Sequence, residues 1–548
     1  MINNTSILSR RIAPSALACA LAAAALPAAA QDAPAPGANP AMTIDSIEVT
    51  GATVLTANDI EAIVYPYVGE NKSAADVDAA RKALQDAYAA RGYEAVVVDV
   101  PPQDEAYARN NIVQIRVSEA PVGEVRVAGA KHHSADTVRE QLPAVQPGKP
   151  LNLKDLQTQL AQANRIPDRT VQPSFRPSKT EGAIDVELKV KDSLPLHGSL
   201  ELGNDNSPNT RPLRLAASLR YTNLWGAGHT VSGSYIVTPQ DRRQTEVFSG
   251  SYNAPILGSP WSLVVFGYKS NSNIAALGGT QVLGNGWQVG GRAIYRIAGE
   301  HGDQSFSVGV DYKDFKQDIL IAGKVASQAP IRYLPAVLGY SWSNFTDRTQ
   351  IDLNVNATLG LRVMKHLSCA DLISSTCTPE DQFALKDFNA RENFAHLNVD
   401  ATVTELIADD ISLIARVAGQ YADSHLVSNE QFAIGGESTV RGYYQSESVG
   451  DRGFAATLQL DGPSLATSLP DFVGELRPFI FVDSGIVGII DPLADQQSTF
   501  RLAGVGGGLR WRLFKRLSGG VTVGVPLISR PDTRRGDARI TFTAKGEF

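Results

Sequence analysis

The sequence contains no run of basic residues. Its 548 residues include 50 Lys and Arg against 57 Asp and Glu, a formal net charge of −7, and these charges are spread along the chain. Nucleic-acid binding needs clustered positive charge, so this class of protein is excluded. Beyond residue 30 the chain also lacks the roughly 20 consecutive apolar residues that a membrane helix needs. If the protein spans a membrane, it must do so as a closed β-barrel, because only helices and barrels satisfy their backbone hydrogen bonds in lipid.

Signatures of catalysis are missing as well. The chain contains no Gly-x-Ser-x-Gly motif, no metal-ligand spacing and no glycine loop that would cradle a phosphate. Its eight histidines are scattered, apart from the adjacent His132 and His133, which we interpret as part of a solvated turn. We therefore predict that the protein is not an enzyme and binds neither a metal nor a cofactor.

The first 30 residues are typical of a secretion signal. Arg10 and Arg11 precede the uncharged stretch 12–30, which ends in the three alanines 28–30. A basic start, an apolar middle and an A-x-A end are what signal peptidase reads. A membrane-anchoring helix, a twin-arginine route and a lipid anchor at Cys19 are alternatives that fit the sequence less well. Cleavage after residue 30 removes two of the 50 basic residues, leaving 48 against 57, a net charge of −9.

Two cysteines remain after cleavage, Cys369 and Cys377, in the polar stretch 366–382. Exported chains reach an oxidising compartment, so we predict one disulfide that closes a short loop. Two free surface thiols are the alternative.

Two similar α+β units follow a Pro/Ala/Gly-rich linker at 31–41. The first is predicted at 42–119, with strands at 43–50, 94–100 and 111–119 and a helix at 74–91. The apolar side chains of that helix recur at spacings of three and four: Val77, Ala80, Leu84, Ala87 and Tyr88. Gly92 stands where the helix would end.

The second unit is predicted at 120–192. It begins with a strand at 122–127, and its helical stripe consists of Leu153, Leu156, Leu160 and Ala163, with Asn152 placed to cap the helix. Alternating apolar and charged residues at 183–190 predict its closing strand. Strand–helix–helix–strand–strand, repeated once, is the pattern of both units.

From residue 193 onward, segments with period-two alternation of about ten residues replace the helical pattern. Two clear segments are 213–222 and 351–361; others are 397–403, 411–421 and 509–513. We count about sixteen, an even number as bacterial outer-membrane barrels require. The sequence therefore predicts an antiparallel transmembrane β-barrel at 193–548.

A soluble β-sandwich also alternates. Three observations favour the barrel: the alternation continues for about 350 residues, as a large barrel requires; aromatic residues stand near segment ends; and the chain ends inside a strand with Phe548. The aromatic residues concerned are Trp225, Trp261, Trp287 and Trp342. A terminal Phe is typical of outer-membrane barrels, where it serves as the barrel-assembly signal.

Charged residues occupy the polar face of the predicted strands: Arg214, Arg220, Arg292, Asp352, Asp400, Arg416 and Arg510. In lipid each would cost about 2–4 kcal/mol at mid-depth, so we expect them to line a wet lumen. Sixteen strands enclose an aqueous channel rather than a packed core.

Two motifs stand out in the barrel region. One is a glycine-flanked loop that contains Val440-Arg441-Gly442-Tyr443; the other is a strand with Phe481, Asp483 and Gly485 at alternate positions. With the signal, the two modules and the barrel, these motifs resemble the two-partner secretion transporters (the hemolysin secretion/activation proteins). That family lies in the superfamily that also contains the barrel-assembly factors, and the modules resemble its polypeptide-transport-associated (POTRA) domains.

The resemblance implies that the loop folds back into the barrel and that Arg441 pairs with Asp483. Gly442 would allow a tight tip, and Tyr443 would pack beside it. In a hydrated lumen we expect this pair to contribute about 1 kcal/mol. An ordinary extracellular loop with an unrelated arginine is the alternative. Relatives carry an N-terminal plug helix, but the prolines of 31–41 cannot form one, so we expect a leakier resting pore.

The implied function is export of a partner polypeptide, of adhesin or cytolysin type, without nucleotide hydrolysis. The POTRA modules would bind the unfolded partner in the periplasm by strand addition. The other expected partners are outer-membrane lipids and, during biogenesis, the barrel-assembly machinery, and we expect a monomeric barrel. An assembly factor for other barrels and a passive porin are rival interpretations.

Overall fold

The computed structural model describes residues 42–548, apart from 181, 257, 278–279, 300, 317, 322–323, 329, 365–380 and 388. The predicted signal and linker lie outside the described residues, as do Cys369 and Cys377. The chain divides into two compact units: one takes residues up to 87 and 97–118, the other 88–96 and 119–548. None of the helices in the described residues has the length and apolar character to cross a membrane.

The first module is a small α+β domain. Its elements are β1 (Met42–Ile44), β2 (Ser46–Thr50), α1 (Ala57–Val64), a 3₁₀ turn (Tyr65–Tyr67), β3 (Gly69–Lys72), α2 (Ala74–Ala90), β4 (Val97–Asp99), α3 (Glu105–Arg109) and β5 (Ile112–Ser118). The sheet order is β2-β5-β4, and β1 pairs separately with β3. The predicted strand 43–50 is interrupted at Asp45, whose N–H donates to the carbonyl of Asn111.

The second module repeats the pattern. Its elements are β6 (Val122–Ala128), α4 (Ala135–Glu140), α5 (Leu153–Ala163), β7 (Arg169–Pro177) and β8 (Ile184–Asp192), in the sheet order β6-β8-β7. The side chain of Asn152 caps α5 by accepting from the N–H of Asp155, as the sequence predicts. Strand β7 has no clear alternation, and sequence analysis did not locate it.

The interpretation of His132 and His133 as a solvated turn is wrong for His133. Its side chain is buried, and the N–H groups of Lys131, His132 and His133 all donate to the carboxylate of Asp192. The turn is compact because one buried carboxylate satisfies three successive backbone donors.

The remaining strands begin at Leu196. They are β9 (Leu196–Gly203), β10 (Arg214–Leu224), β11 (His229–Val237), β12 (Glu246–Pro255), β13 (Trp261–Leu277), β14 (Thr280–Gly299), β15 (Gly302–Lys316), β16 (Asp318–Ile321), β17 (Lys324–Gln328), β18 (Ile331–Phe345), β19 (Thr349–Leu361), β20 (Ala395–Ala408), β21 (Ile411–Ala422), β22 (Phe432–Ile434), β23 (Ser448–Gly450), β24 (Arg452–Asp461), β25 (Val473–Gly488), β26 (Thr499–Leu513), β27 (Leu517–Pro526) and β28 (Arg539–Glu547). A short helix, α6 (Gln382–Lys386), precedes β20, and 3₁₀ turns lie at Ser428–Glu430 and Leu465–Ser468.

In the described part of the chain, sixteen of these strands close an antiparallel barrel, as predicted. β16 with β17 and β22 with β23 form separate hairpins in the loops. Connections at one rim are short turns, for example 225–228 and 346–348, whereas several at the other rim are long, for example 423–451. Because short turns face the periplasm in such barrels, the long loops face outward from the cell.

The two faces of the barrel wall follow the predicted alternation. Large apolar side chains of the outer face are exposed, as lipid contact requires: among them Leu219, Phe248, Leu263, Val308 and Ile480. The charged residues of the polar face meet opposite charges in the lumen, for example Arg292 with Asp311 at 2.6 Å and Arg416 with Asp400 at 2.6 Å. The wall thus separates lipid from a polar interior.

Candidate functional site

The connection between β21 and β24, residues 423–451, folds into the barrel; we call it the luminal loop. Its two arms pair as β22 and β23, and its tip, residues 435–443, lies against the inner face of the wall formed by β24–β28. The structure therefore brings together the two sequence motifs, which are 42 residues apart at Arg441 and Asp483.

Arg441 and Asp483 form a two-pronged ion pair. Nε and Nη2 of Arg441 donate to the two carboxylate oxygens at 2.7 and 2.8 Å, and its backbone N–H donates to the same carboxylate at 3.0 Å. The guanidinium also lies 3.5 Å from the ring centroid of Phe481. Charge, planarity and stacking together fix the direction of the loop tip.

The expectation that this pair is hydrated is wrong. The side chain of Arg441 is 8% exposed and that of Asp483 is 0% exposed. The tip itself excludes water, because it closes over the carboxylate and presses the guanidinium against Phe481. An exposed pair contributes about 1 kcal/mol or less, whereas removing one partner of a buried pair costs about 3–5 kcal/mol.

A polar chain that sequence analysis missed extends this pair down the wall. Nη1 of Arg441 donates to Gln459 at 2.6 Å, and the amide of Gln459 donates to Asp461 at 2.7 Å. Arg510 in turn donates to Asp461 at 2.8 Å and stacks over Phe479. In this row of polar side chains every charged group faces an opposite charge or a dipole, so the tip of the luminal loop joins an ordered network.

The residues beside Arg441 seal the tip. Val440 is fully buried in a small apolar cluster with Ile434 and Leu502. The hydroxyl of Tyr443 lies 2.9 Å from the carbonyl of Ala503 and 2.8 Å from that of Ile528. Gly442 has φ +93°, a conformation that glycine adopts without strain. All four residues of the motif thus have packing or hydrogen-bonding roles at the tip.

The wall opposite the tip is built from glycines whose α-carbons face the lumen. A Cβ on Gly504 would lie 2.2 Å from the carbonyl oxygen of Arg441, and one on Gly524 would lie 2.4 Å from the N of Gly442. A Cβ on Gly485 would lie 3.1 Å from Val440. We call Gly485, Gly504 and Gly524 the glycine floor. Only a surface without side chains lets the tip reach this depth.

The luminal loop also approaches the first extracellular connection, residues 204–213. The N–H of Glu437 donates to Asp205 at 3.2 Å, and Glu437 accepts hydrogen bonds from Thr522 and Thr541. Burial, followed by the nearby charge of Glu437, raises the pKa of Asp205 to about 6. Two acidic residues thus meet where the loop passes the first and last strands.

The root of the luminal loop packs into an apolar cluster at the extracellular ends of the barrel strands. Phe383, Phe394, Tyr333 and Leu426 form a buried apolar cluster there with Phe315. Beside it, Glu430 accepts from Lys313 at 2.5 Å. Burial opposes ionisation of Glu430, but Lys313 and His396 outweigh it and lower its pKa to about 2.

Phe548, the last residue, lies just after β28 on the outer face, 63% exposed. Its backbone exchanges two hydrogen bonds with Gly198, and its ring fills the space that a side chain at position 198 would take. Its part as an assembly signal stays a prediction. In the described residues no cluster of three potential metal ligands occurs.

Two family models match the chain. Residues 182–511, more than half of it, match the model described as "Haemolysin secretion/activation protein ShlB/FhaC/HecB", and residues 42–120 match "POTRA domain, ShlB-type". The chain belongs to the haemolysin secretion/activation family. It is accordingly an outer-membrane transporter of two-partner secretion, with its modules in the periplasm.

The relatives are distant in sequence, but their similarity extends over most of the chain. The "Outer membrane transporter CdiB" of Escherichia coli is 25% identical over 501 residues, covering 89% of this chain and 79% of the relative. The "Heme/hemopexin transporter protein HuxB" of Haemophilus influenzae is 21% identical over 411 residues, covering 73% and 68%.

Solved structures share the fold. CdiB from Escherichia coli matches with a TM-score of 0.61 at 21% identity, covering 95% of this chain and 93% of that one. BamA from Haemophilus ducreyi lacking POTRA domains 1–3 matches with a TM-score of 0.52 at 13% identity, covering 92% and 100%. Two modules and a matching secretion-family model favour the transporter over the assembly factor.

Proposed function

We propose that this transporter holds its partner polypeptide unfolded at the periplasmic modules, passes it through the barrel and releases it to fold outside, without nucleotide hydrolysis. The carrying observation is the Arg441–Asp483 pair. A loop whose tip is fixed by a buried, directional ion pair in a polar lumen would be stable at rest and would be released once that pair opens.

The modules differ in how open their sheet edges are to strand addition. At the edge of β7, Asn164 accepts from the N–H of Val171 and donates to its carbonyl, while Pro173 and Pro177 have no N–H to offer. Such an edge resists a further strand. At the edge of β4 the N–H of Val98 donates to Gln85. We therefore propose that strand addition uses β2 and the part of β6 beyond Val122, whose own N–H and carbonyl already bond to residues 149 and 148.

The direct test uses Arg441→Ala and Asp483→Ala. Each is expected to reduce appearance of the partner polypeptide in the medium while the barrel still assembles and shows its heat-dependent gel mobility. Arg501→Ala, on an exposed arginine of β26, is the matched control and should export normally. Normal export by both site variants would contradict this role for the pair. Co-expression with candidate secreted proteins identifies the partner.

The remaining partners also stay proposals. We propose that the exposed apolar outer face binds outer-membrane lipids, that Phe548 serves the barrel-assembly machinery, and that the barrel acts as a monomer. The domain boundaries at 30, 41, 119 and 192 and the Cys369–Cys377 disulfide are predictions of the same kind. So is the absence of enzymatic activity and of cofactors. An adhesin or cytolysin remains the proposed type of client.

A further inference from the structure

The inner wall of the barrel differs from sector to sector. Serines occupy inward positions on strands β10–β12. We call this surface the serine wall; it consists of Ser218, Ser232, Ser234, Ser249 and Ser251. The residues that alternate with them, such as Leu219, Val231 and Phe248, are exposed on the lipid face. Between 230–236 on β11 and 247–253 on β12, no inward position carries a charge.

The hydroxyl groups of the serine wall are paired across the strands. Ser232 and Ser251 lie 2.7 Å apart, Ser234 and Ser249 lie 2.6 Å apart, and Ser218 pairs with Ser199 of β9 at 2.7 Å. Each pair uses one donor, so the second hydroxyl of the pair can still donate to a backbone carbonyl in the lumen. The inward positions of β11 and β12 therefore offer weak hydrogen bonds without charge, and Arg220 of β10, opposite Ser232, is a charged residue at the periplasmic end of the wall.

The other sectors of the wall are less suited to a passing chain. The tip of the luminal loop covers β24–β28, where the network of Arg441 and Asp483 lies. Strands β19–β21 are charged, because Asp352 and the Asp400–Arg416 pair face the lumen there, and Arg416 also donates to the luminal loop. Strands β14 and β15 carry the inward Arg292–Asp311 pair. A polypeptide with charged side chains would be held strongly by such groups.

The second module is attached beneath the serine wall. Asp168, at the start of β7, accepts from Thr222 at 2.5 Å and lies 2.8 Å from Nε2 of His197. Its carbonyl accepts from the N–H of Ser193. Ile166 contacts the turn between β10 and β11, since a Cβ on Gly228 would lie 3.0 Å from it. The module thus meets the barrel at the periplasmic ends of β9–β11.

We propose that the exported chain, in extended form, passes along the serine wall between β10–β12 and the luminal loop. The proposal rests on the proposed function and specifies its path. Conduction requires contacts that admit a chain without retaining it. The paired hydroxyls of β11 and β12, whose inward positions carry no charge, meet that condition for a polypeptide of any sequence. The attachment of the second module places the chain near this sector, beside Arg220 at its periplasmic end.

The test uses single-cysteine variants, Ser234→Cys and Ser251→Cys, with Cys369 and Cys377 replaced by serine. Asn354→Cys is the control, because Asn354 is exposed to the lumen on the charged sector. The probe is an unfolded Gly/Ser/Asn peptide of about 30 residues, long enough to span the barrel when extended. It carries one pyridyl disulfide, which a protein thiolate attacks with release of pyridine-2-thione, and is added to the periplasmic side of planar bilayers.

Trapping rates are divided by the rate for a small methanethiosulfonate reagent at the same cysteine. We expect this ratio to be about tenfold higher at the serine wall than at Asn354→Cys, because a chain beside the wall raises the local concentration of the probe. An equal or higher ratio at Asn354→Cys would overturn the path. Failure of the peptide to interrupt the current of the unsubstituted barrel would instead contradict the proposed conduction of polypeptide.

Discussion

Replacing Asp483 by alanine should release the tip of the luminal loop from the wall. In the docked loop, Asp483 accepts three hydrogen bonds from Arg441, and its side chain is completely buried. After the substitution, the guanidinium of Arg441 would stay in place with only Gln459 and the ring of Phe481 as partners. In the released loop the same guanidinium is hydrated, so the substitution penalises the docked state alone.

The burial of the pair decides the size of the effect. Leaving a buried charge without its partner costs about 3–5 kcal/mol, whereas an exposed pair would lose about 1 kcal/mol. Since each 1.4 kcal/mol is a factor of ten, the released fraction should rise by about two to three and a half orders of magnitude, against roughly fivefold for an exposed pair.

The assay is thiol labelling of Val440→Cys, with Cys369 and Cys377 replaced by serine. Val440 is fully buried, so a cysteine there should react only when the tip leaves the wall. Asp352→Ala, which removes a half-buried lumen carboxylate of β19, is the control and should not change the labelling rate. Exchanging both partners, as Arg441→Met with Asp483→Leu, should recover much of the loss because no buried charge remains.

A rise in labelling of less than about tenfold in Asp483→Ala, in a barrel of normal gel mobility, would refute the argument from burial. Faster labelling in the double variant (Arg441→Met with Asp483→Leu) than in Asp483→Ala would also refute this argument. Either result would mean that the tip is held chiefly by the glycine floor and the apolar cluster around Val440.

Three further changes test neighbouring contacts. Gly504→Ala places a methyl group 2.2 Å from the carbonyl oxygen of Arg441, so the tip must lift and labelling of Val440→Cys should rise, whereas Gly291→Ala of β14, where a methyl group meets open space, should not affect the tip. The pKa of Asp205 is raised to about 6 beside the docked loop, so the docked state favours the protonated carboxyl of Asp205. Docking of the loop should therefore weaken as the pH rises through about 6, and the conductance measured in planar bilayers should increase over the same pH range. Asp205→Asn should remove this pH dependence. Asp168→Ala removes two hydrogen bonds between the second module and the barrel, so hydrogen exchange at residues 193–197 should accelerate about tenfold; an unchanged rate would mean that the module is held elsewhere.

The strands of the barrel could be predicted because lipid on one side and water on the other impose a strict period of two. Segment 351–361 is contained in β19, and 411–421 in β21. The strands of the two small modules were harder to predict from the sequence. The predicted strand 94–100 shrinks to β4, and β7 carries Pro173 and a frayed pattern of burial. Edge strands of small sheets have no continuous apolar face, so their sequences lack the alternation by which a strand is predicted.

The sequence predicted the two motifs of the site but not how deeply their ion pair is buried. Phe481 and Asp483 share one side of their strand, but the mixed residues of 477–483 left it ambiguous which side faces the lumen, and nothing local to either motif reveals that the loop seals its own ion pair. The sequence does carry a signal for part of the glycine floor, because Gly504, Gly506 and Gly508 recur at every second position of one strand. Such a row leaves space for a backbone or a large ring: Gly504 faces the backbone of Arg441, and Gly506 and Gly508 face the rings of Phe481 and Phe479.

We expect closure of the resting pore to depend on the apolar cluster at the root of the luminal loop. Phe383 of α6 is fully buried against Tyr333 and Phe394, with ring centroids 5.4 and 6.2 Å apart. Phe383→Ala should destabilise this closure by about 3–5 kcal/mol, the usual cost of emptying a buried aromatic site. Planar-bilayer recordings should then show a larger resting conductance. Phe345→Ala, which removes an exposed ring at the end of β18, should leave the conductance unchanged. A Phe383→Ala barrel that stays as closed as the unsubstituted one would mean that the ion-paired tip alone closes the pore.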